Sequence, residues 1–284
     1  MGRTRLTVPS VVAFVALASA SAPQVQQQQP NARAGWPCVG RPDPSYVEVA
    51  EASGGQVFLL DPSEIGGSAP LLMARERHPE TVDRRAGDLE DGTHEFTVPV
   101  DRTVESLLFS ISLQCLQAVE IARPDGSLVQ ASQPKVDWHA FQAVRVVTIE
   151  SPDAGDYRIR VAGRGLFFML TQVRTEVALE NARFVRQGGR PGHEGLFTDD
   201  TPLRPGTRRQ LEIDVSAGWT PTRLIMLSSE GENLGAAELT PAGEGTFLTS
   251  VIVPARRFRV AVVAGDTAGR RVQRVYAPLF MVAS

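Results

Sequence analysis

Four histidines, His78, His94, His139 and His193, are the side chains best suited to move a proton near neutral pH. None has at close spacing the neighbours that such chemistry uses. There is no Gly-x-Ser-x-Gly turn to lift a serine nucleophile and no His-Glu-x-x-His pair for zinc. Nor is there a Gly-x-x-x-x-Gly-Lys or Gly-x-Gly-x-x-Gly loop to cradle phosphates. A triad assembled from distant residues stays open, but these histidines fall in three loops or strand edges and one strand start, and each reads as a surface residue. No catalytic residue and no cofactor is expected.

Calcium would need oxygen-rich turns. Asp199-Asp200 and Asp153 with Asp156 are the best acidic clusters, yet neither reaches the ligand count of a calcium loop, and both read as solvated turn carboxylates. Trp36, Trp138 and Trp219 have the flat faces that stack on sugar rings. Trp138, flanked by Asp137, His139 and Gln142, is the most suggestive, against a plainer reading as a core or rim tryptophan. The ligand-binding residues stay unassigned.

The cysteines are Cys38 and Cys115. An even count in an oxidising compartment reads as a bridge, here with one connectivity. Closing a loop of about 77 residues would stabilise the chain by roughly 4 kcal/mol. Two buried free thiols are an alternative. A metal site is weaker, because no close Cys-x-x-Cys or His-x-x-x-His spacing accompanies the pair.

That compartment is read from the N-terminus. Arg3 and Arg5 precede an apolar run from Val11 to Ala18, and small residues close it at Ala18, Ala20 and Ala22. This is the pattern of an export signal, with cleavage expected after Ala20 because Pro23 disfavours the later site. The run is shorter than the about 20 residues that span a bilayer. The expectation is an exported protein, secreted or periplasmic, and not membrane-spanning. About 264 residues then remain, enough for one large or two ordinary domains. A net charge of −3 argues against nucleic acid as a partner. The Arg-Arg pairs do not overturn this. Lys135 is the one lysine among 29 basic residues, the bias of a GC-rich genome.

Residues 21–44 read as a flexible linker, Gln-rich and then Gly- and Pro-rich. Tyr46 to Ser53 follow a helical period stopped by Gly54-Gly55, and Gln56 to Leu60 read as a strand. Asp61, Pro62 and Glu64 can cap a short helix. Ser68 to Gly92 reads as a polar surface segment with at most one short helix. From His94 onward strand follows strand. Leu107, Phe109, Ile111, Leu113 and Cys115 alternate with Ser106, Ser110, Ser112 and Gln114, a half-buried antiparallel strand with Leu108 as the exception. Beyond Ala178 a second set of short strands recurs at the turn spacing of sandwiches.

The stretch Tyr46 to Val177 resembles a segment of hemicentin and its relatives that carry a von Willebrand factor A domain. Ala52-Ser-Gly-Gly-Gln-Val-Phe58 is similar to the tail of that domain. Glu95 to Asp101, Val119 to Gly126 and Glu150 to Tyr157 are similar to strands and turns of the galactose-binding-like domain that follows it. The resemblance implies an all-β chain of two tandem antiparallel β-sandwiches, galactose-binding-like and then immunoglobulin- or fibronectin-like, after a short helix-strand element. The expected divisions are signal 1–20, linker 21–44, helix-strand segment 45–92, first sandwich 93–177 and second sandwich 178–284. The Asp-x-Ser-x-Ser metal motif of A domains is missing, so no metal site carries over. The Asp153 to Tyr157 turn also looks like those of bacterial pre-peptidase C-terminal domains.

The expected function is a non-enzymatic binding or structural protein, adhesion-type or matrix-like, with a protein or glycan partner at the cell exterior. The alternative is a secreted hydrolase or its accessory carbohydrate-binding module. An orphaned strand at Val57 to Leu60 would be an apolar edge. It is expected either to pack on the first β-domain with Phe58 buried, or to pair with a separate von Willebrand factor A domain protein.

Overall fold

The computed structural model describes residues 37–216, 218–265 and 271–283, together with β1 (Phe14–Val15), which pairs in parallel with β2 (Val57–Phe58). The rest of the expected signal, the linker through Trp36 and most of the Gly265 to Gly269 turn lie outside the described residues. All-β is the right class: antiparallel sheets form both halves of the chain. No helix among the described residues is long and apolar enough to cross a membrane.

The first half is built on one antiparallel sheet. Its strands are β3 (Glu80–Val100), β4 (Ser106–Ala122), β5 (Val136–Ala140), β6 (Val144–Glu150) and β7 (Gly155–Arg174), in the order β3-β7-β4-β6-β5. The long strands bend at register shifts between Leu89 and Gly92 and between Leu113 and Ala118. There Gly163, at positive φ, lets the backbones of β4 and β7 approach closely, and Gly165, also at positive φ, leaves room for the Gln114 side chain. The sheet therefore curls onto itself. Phe96 pairs with Ile159 and Phe167 with Gly87, yet the two rings stack at 5.1 Å across the concave side. Val98, Leu107, Phe109, Ile111, Tyr157, Ile159 and Met169 fill the enclosed core.

The convex side is covered by an N-terminal arm. α1 (Pro44–Ser53) starts on the Asp43 carboxylate, which accepts from the Ser45 backbone N–H at 2.8 Å, and stops at Gly54 with φ 74°. A 3-10 turn (Pro62–Gly67) carries the expected capping box of Asp61 and Glu64. α2 (Ala69–Glu76) follows. Phe58, Leu60 and Leu71 pack on Leu108, Val144 and Val146, while Val57 and Leu59 pack on Ala86 and Phe168.

The arm explains two departures from the sequence reading. Ser106, Ser110 and Ser112 were expected on a solvated face, and all three are buried. Ser112 and Ser106 serve as polar anchors for the arm. The Leu59 backbone N–H donates to Ser112 Oγ at 3.0 Å, and His78 Nε2 lies 2.7 Å from Ser106 Oγ. Leu108, the break in the alternation, is the apolar contact for Phe58. The second departure is the expected surface segment, Ser68 to Gly92. Its short helix is α2, within the reading; the departure is the first half of β3, which begins ahead of the division drawn at 93. Its charged residues Asp83 and Arg84 are buried, Asp83 against Arg85 two residues on and Arg84 against Glu51 of the arm.

Cys38 and Cys115 form a disulfide with Cα atoms 4.2 Å apart. Beside it the Val39 N–H donates to Gln114 O at 3.0 Å, and Val39 is buried. The bridge and this bond tie the start of the arm to the sheet.

The second half is a two-sheet sandwich. One sheet contains β8 (Leu179–Gly188), β9 (Gly195–Thr198), β10 (Arg208–Val215), β13 (Thr240–Gly243) and β14 (Thr246–Ile252). The other contains β11 (Arg223–Leu227), β12 (Asn233–Glu238), β15 (Arg259–Gly265) and β16 (Arg271–Val275). Leu211, Ile213, Leu224, Phe247, Phe258, Val260 and Val262 fill the space between them.

The halves meet where β16 lies over β3. Ile225, Ala261 and Val275 are buried on the outer side of the four-stranded sheet. Gln273 Nε2 donates to Val82 O at 2.7 Å, and the Ala86 N–H donates to Ser229 O at 2.8 Å. Arg274, fully buried, donates to Asp101 at 2.7 Å and to Val177 O at 2.7 Å. Glu51 of α1 receives Arg84 from β3 at 2.7 Å and Arg259 from β15 at 2.5 Å. Burial pushes the Glu51 and Asp101 carboxyls up, but the facing guanidiniums outweigh it and hold both below the ordinary carboxylate range. Removing one partner of such a buried pair costs about 3–5 kcal/mol. The arm, the curled sheet and the sandwich are thus locked together by charges that water does not screen.

Candidate functional site

The structure distributes the residues singled out in the sequence rather than gathering them all. His94 Nε2 lies 2.9 Å from Glu90 O on an exposed edge, and His193 is exposed in the turn between β8 and β9. Asp199 is held by Arg209 at 2.5 Å and by Thr201, and Asp153 lies 4.0 Å from Arg123. Among the described residues no three His, Cys, Asp or Glu side chains come together as a metal site. Trp219 is buried in the sandwich core, and Trp138 packs part-buried against the core of the curled sheet.

Among the described residues, His78 and Ser106 make a serine–histidine hydrogen-bonded pair. His78 Nδ1 sits 2.6 Å from Ala74 O, so the ring donates there and its Nε2 accepts from the Ser106 hydroxyl. The serine is 0% and the histidine 1% exposed, so no substrate reaches either. Burial pushes the His78 pKa down, and the ring is neutral at physiological pH. The pair holds α2 to β4.

The neighbours of the pair are more open. A cleft of about 430 Å³ lies between α2 and the edge strand β5. Pro70, Met73 and Ala74 of α2, with Arg77 just past its end, form one wall, and the buried His78 lies behind it. Lys135, Val136, Asp137 and His139 form the other, and Thr148 and Glu150 of β6 form the floor. Strand geometry produces this set. Residues two apart in the strand share a face, so Asp137 and His139 point to the cleft, while Trp138 between them points to the core. Asp137 pairs in register with Thr148, which brings the floor beside the wall.

His139 Nε2 lies 3.1 Å from the Asp137 carboxylate, and Glu150 accepts from Arg174 at 3.0 Å. Lys135 holds φ 64°, a left-handed conformation rare outside glycine, and its ammonium reaches Ser151 Oγ at 3.5 Å. Met73 is 53% exposed. The cleft therefore offers donors and acceptors of both signs beside an apolar rim. That mixture suits a sugar or an extended peptide, which present hydroxyls or amides next to apolar faces.

Of the segment around Trp138, the flanking Asp137 and His139 line the cleft, while the tryptophan packs against the core. Met73 and Arg77 were not singled out, because the short helix of that segment was not placed. The signal was present: Leu71, Leu72, Met73, Ala74, Arg75 and Glu76 are all strong helix formers, with Pro70 at the first turn.

No family model and no curated protein matches the chain. Solved structures give only weak similarity. A Bacillus licheniformis lipase, BlEst2, in its propeptide form aligns at 12% identity over 74% of this chain and 48% of its own, with a TM-score of 0.27. A Bifidobacterium dentium β-glucuronidase in complex with coumarin-3-O-glucuronide aligns at 8% identity over 67% and 39%, with a TM-score of 0.24. The titin domains Z1Z2 in complex with telethonin align at 17% over 70% and 96%, with a TM-score of 0.20. The chain spans about half the length of the lipase, and similarity at this level supports no functional argument.

Proposed function

We propose that this chain is an exported, non-enzymatic binding protein, secreted or periplasmic, that engages a protein or glycan at the cell exterior. In this reading the curled sheet is a galactose-binding-like unit and the second half an immunoglobulin- or fibronectin-like unit. The observation that carries it is the cleft between α2 and β5. Its polar groups of both signs sit on a wall fixed by the His78–Ser106 contact and by the Glu64 carboxylate, which accepts from the Gln142 backbone N–H at 2.7 Å. A preorganised wall lowers the entropy cost of binding. Burial of Phe58 against the chain's own sheet supports an arm that needs no separate A-domain partner.

A glycan and extracellular-protein array, run beside a broad hydrolase panel, tests the proposal. It expects a ligand and no turnover. Reproducible turnover abolished by His139→Ala or Asp137→Ala would replace it with the hydrolase reading.

A further inference from the structure

The joint between the halves is not neutral. Arg274 faces Asp101, and Arg85 faces Asp83 at 2.9 Å, one charge against one. The centre differs. Arg84 and Arg259 converge on a single carboxylate, Glu51, and Arg75 stands beside Arg84. Arg84 and Arg259 take its two oxygens, while Arg75 and Arg84 share Gly54 O at 3.0 and 2.8 Å. Each guanidinium is thus one hydrogen-bond acceptor away from the next. Burial lowers the pKa of Arg75 and of Arg259 to about 10, which leaves both charged at neutral pH.

The remaining acceptors are carbonyls. Arg84 also bonds Ala50 O and Gly55 O, and Arg259 bonds Ala277 O at 2.8 Å. The carbonyls at the end of α1 contribute partial negative charge from the helix dipole and no net charge. These three linked cations therefore share one paired carboxylate, Glu51, because the nearby buried Asp83 is taken up by Arg85. Arg75 Nη1, Arg84 Nε and Arg259 Nη1 are buried donors without a partner. An unpaired donor on a buried charged group is among the costlier states in a folded chain. Three of them on linked arginines, in a cluster short of negative charge, make a site for a small anion.

We infer that the joint binds one small monovalent anion of the halide class, chloride where the protein works, held by the free donors of Arg75, Arg84 and Arg259. Because these residues come from α2, β3 and β15, the anion couples the arm, the curled sheet and the sandwich. It stabilises the assembled protein and takes no part in the α2–β5 cleft.

The test is thermal unfolding of the full chain in sodium chloride, sodium bromide and sodium gluconate at one ionic strength, with a crystal grown in bromide. Tm is expected to rise with the logarithm of chloride or bromide concentration and to stay lower in gluconate, whose bulky anion does not fit. The bromide anomalous map is expected to show a peak within hydrogen-bond reach of the three free nitrogens. Arg75→Met, which removes one cation and one donor at the edge of the cluster, is expected to flatten the halide dependence. Equal melting in all three salts, or a bromide map with no peak at the joint, would overturn the inference. The crystal of the unaltered protein decides the matter even if Arg75→Met does not fold.

Discussion

Phe58→Ala measures how firmly the arm belongs to the curled sheet. Phe58 is 1% exposed and packs against Leu60, Leu71, Leu108, Val144 and Val146. Truncating it removes a transfer contribution of about 1.5–3 kcal/mol and leaves a void between the arm and β4 that rigid neighbours fill poorly. The expected loss is about 3–5 kcal/mol. For a chain of this size each kcal/mol moves Tm by roughly 2–4 °C, so a drop of about 6–20 °C is expected. Urea and thermal unfolding followed by circular dichroism would read it. Phe197→Ala is the matched control, because Phe197 is 47% exposed on β9 and its loss should stay within about 0.5 kcal/mol. A Phe58→Ala protein as stable as the Phe197→Ala control would refute the docking. The strand would then be presented to another chain, as the von Willebrand factor A resemblance allows.

Three further outcomes follow from the same contacts. Reducing Cys38–Cys115, or changing both cysteines to serine, should lower stability by about 4 kcal/mol for the 77-residue loop; a loss below about 1 kcal/mol would mean that the arm holds without its clasp. Because burial holds the folded-state His78 pKa below the value of about 6.5 in the unfolded chain, the unfolded state takes up the proton first as pH falls, and stability is lost from about pH 6.5 downward. The stability advantage of wild type over His78→Gln should therefore shrink from pH 7.5 to 5.5, and a constant difference would exclude His78 as its source. A fragment starting at Ala178 should fold cooperatively on its own core but melt well below the full chain, since Arg259 and Arg274 lose Glu51 and Asp101; failure to fold would show that the halves share one core.

Local signals in the sequence were reliable where one physical cause dominated. The helix ending at Gly54 and the capping box of Asp61 and Glu64 are set by backbone geometry within a few residues, and both stand as read. The same holds for the alternation of Leu107, Phe109, Ile111 and Leu113, all of which enter the core. What failed depended on distant partners. Arg84 looks like a surface residue until Glu51 and the carbonyls around Gly54 are brought to it. Ser106, Ser110 and Ser112 look solvated until the arm lies over them. The cleft had a partial signature in Asp137 and His139, but its second wall hung on α2, a short helix that its charged flanks left unplaced. The arginine excess around Glu51 has no one-dimensional trace, because its members stand up to 208 residues apart.

The claim that the α2–β5 cleft binds an extracellular ligand is tested most directly by titrating the best array ligand into the unaltered protein and into Asp137→Ala/His139→Ala. Both side chains are part-exposed or exposed, so the double variant should keep its Tm. The account predicts at least about a tenfold weaker Kd for the variant, about 1.4 kcal/mol. Equal affinity in the two proteins would place binding elsewhere and contradict it.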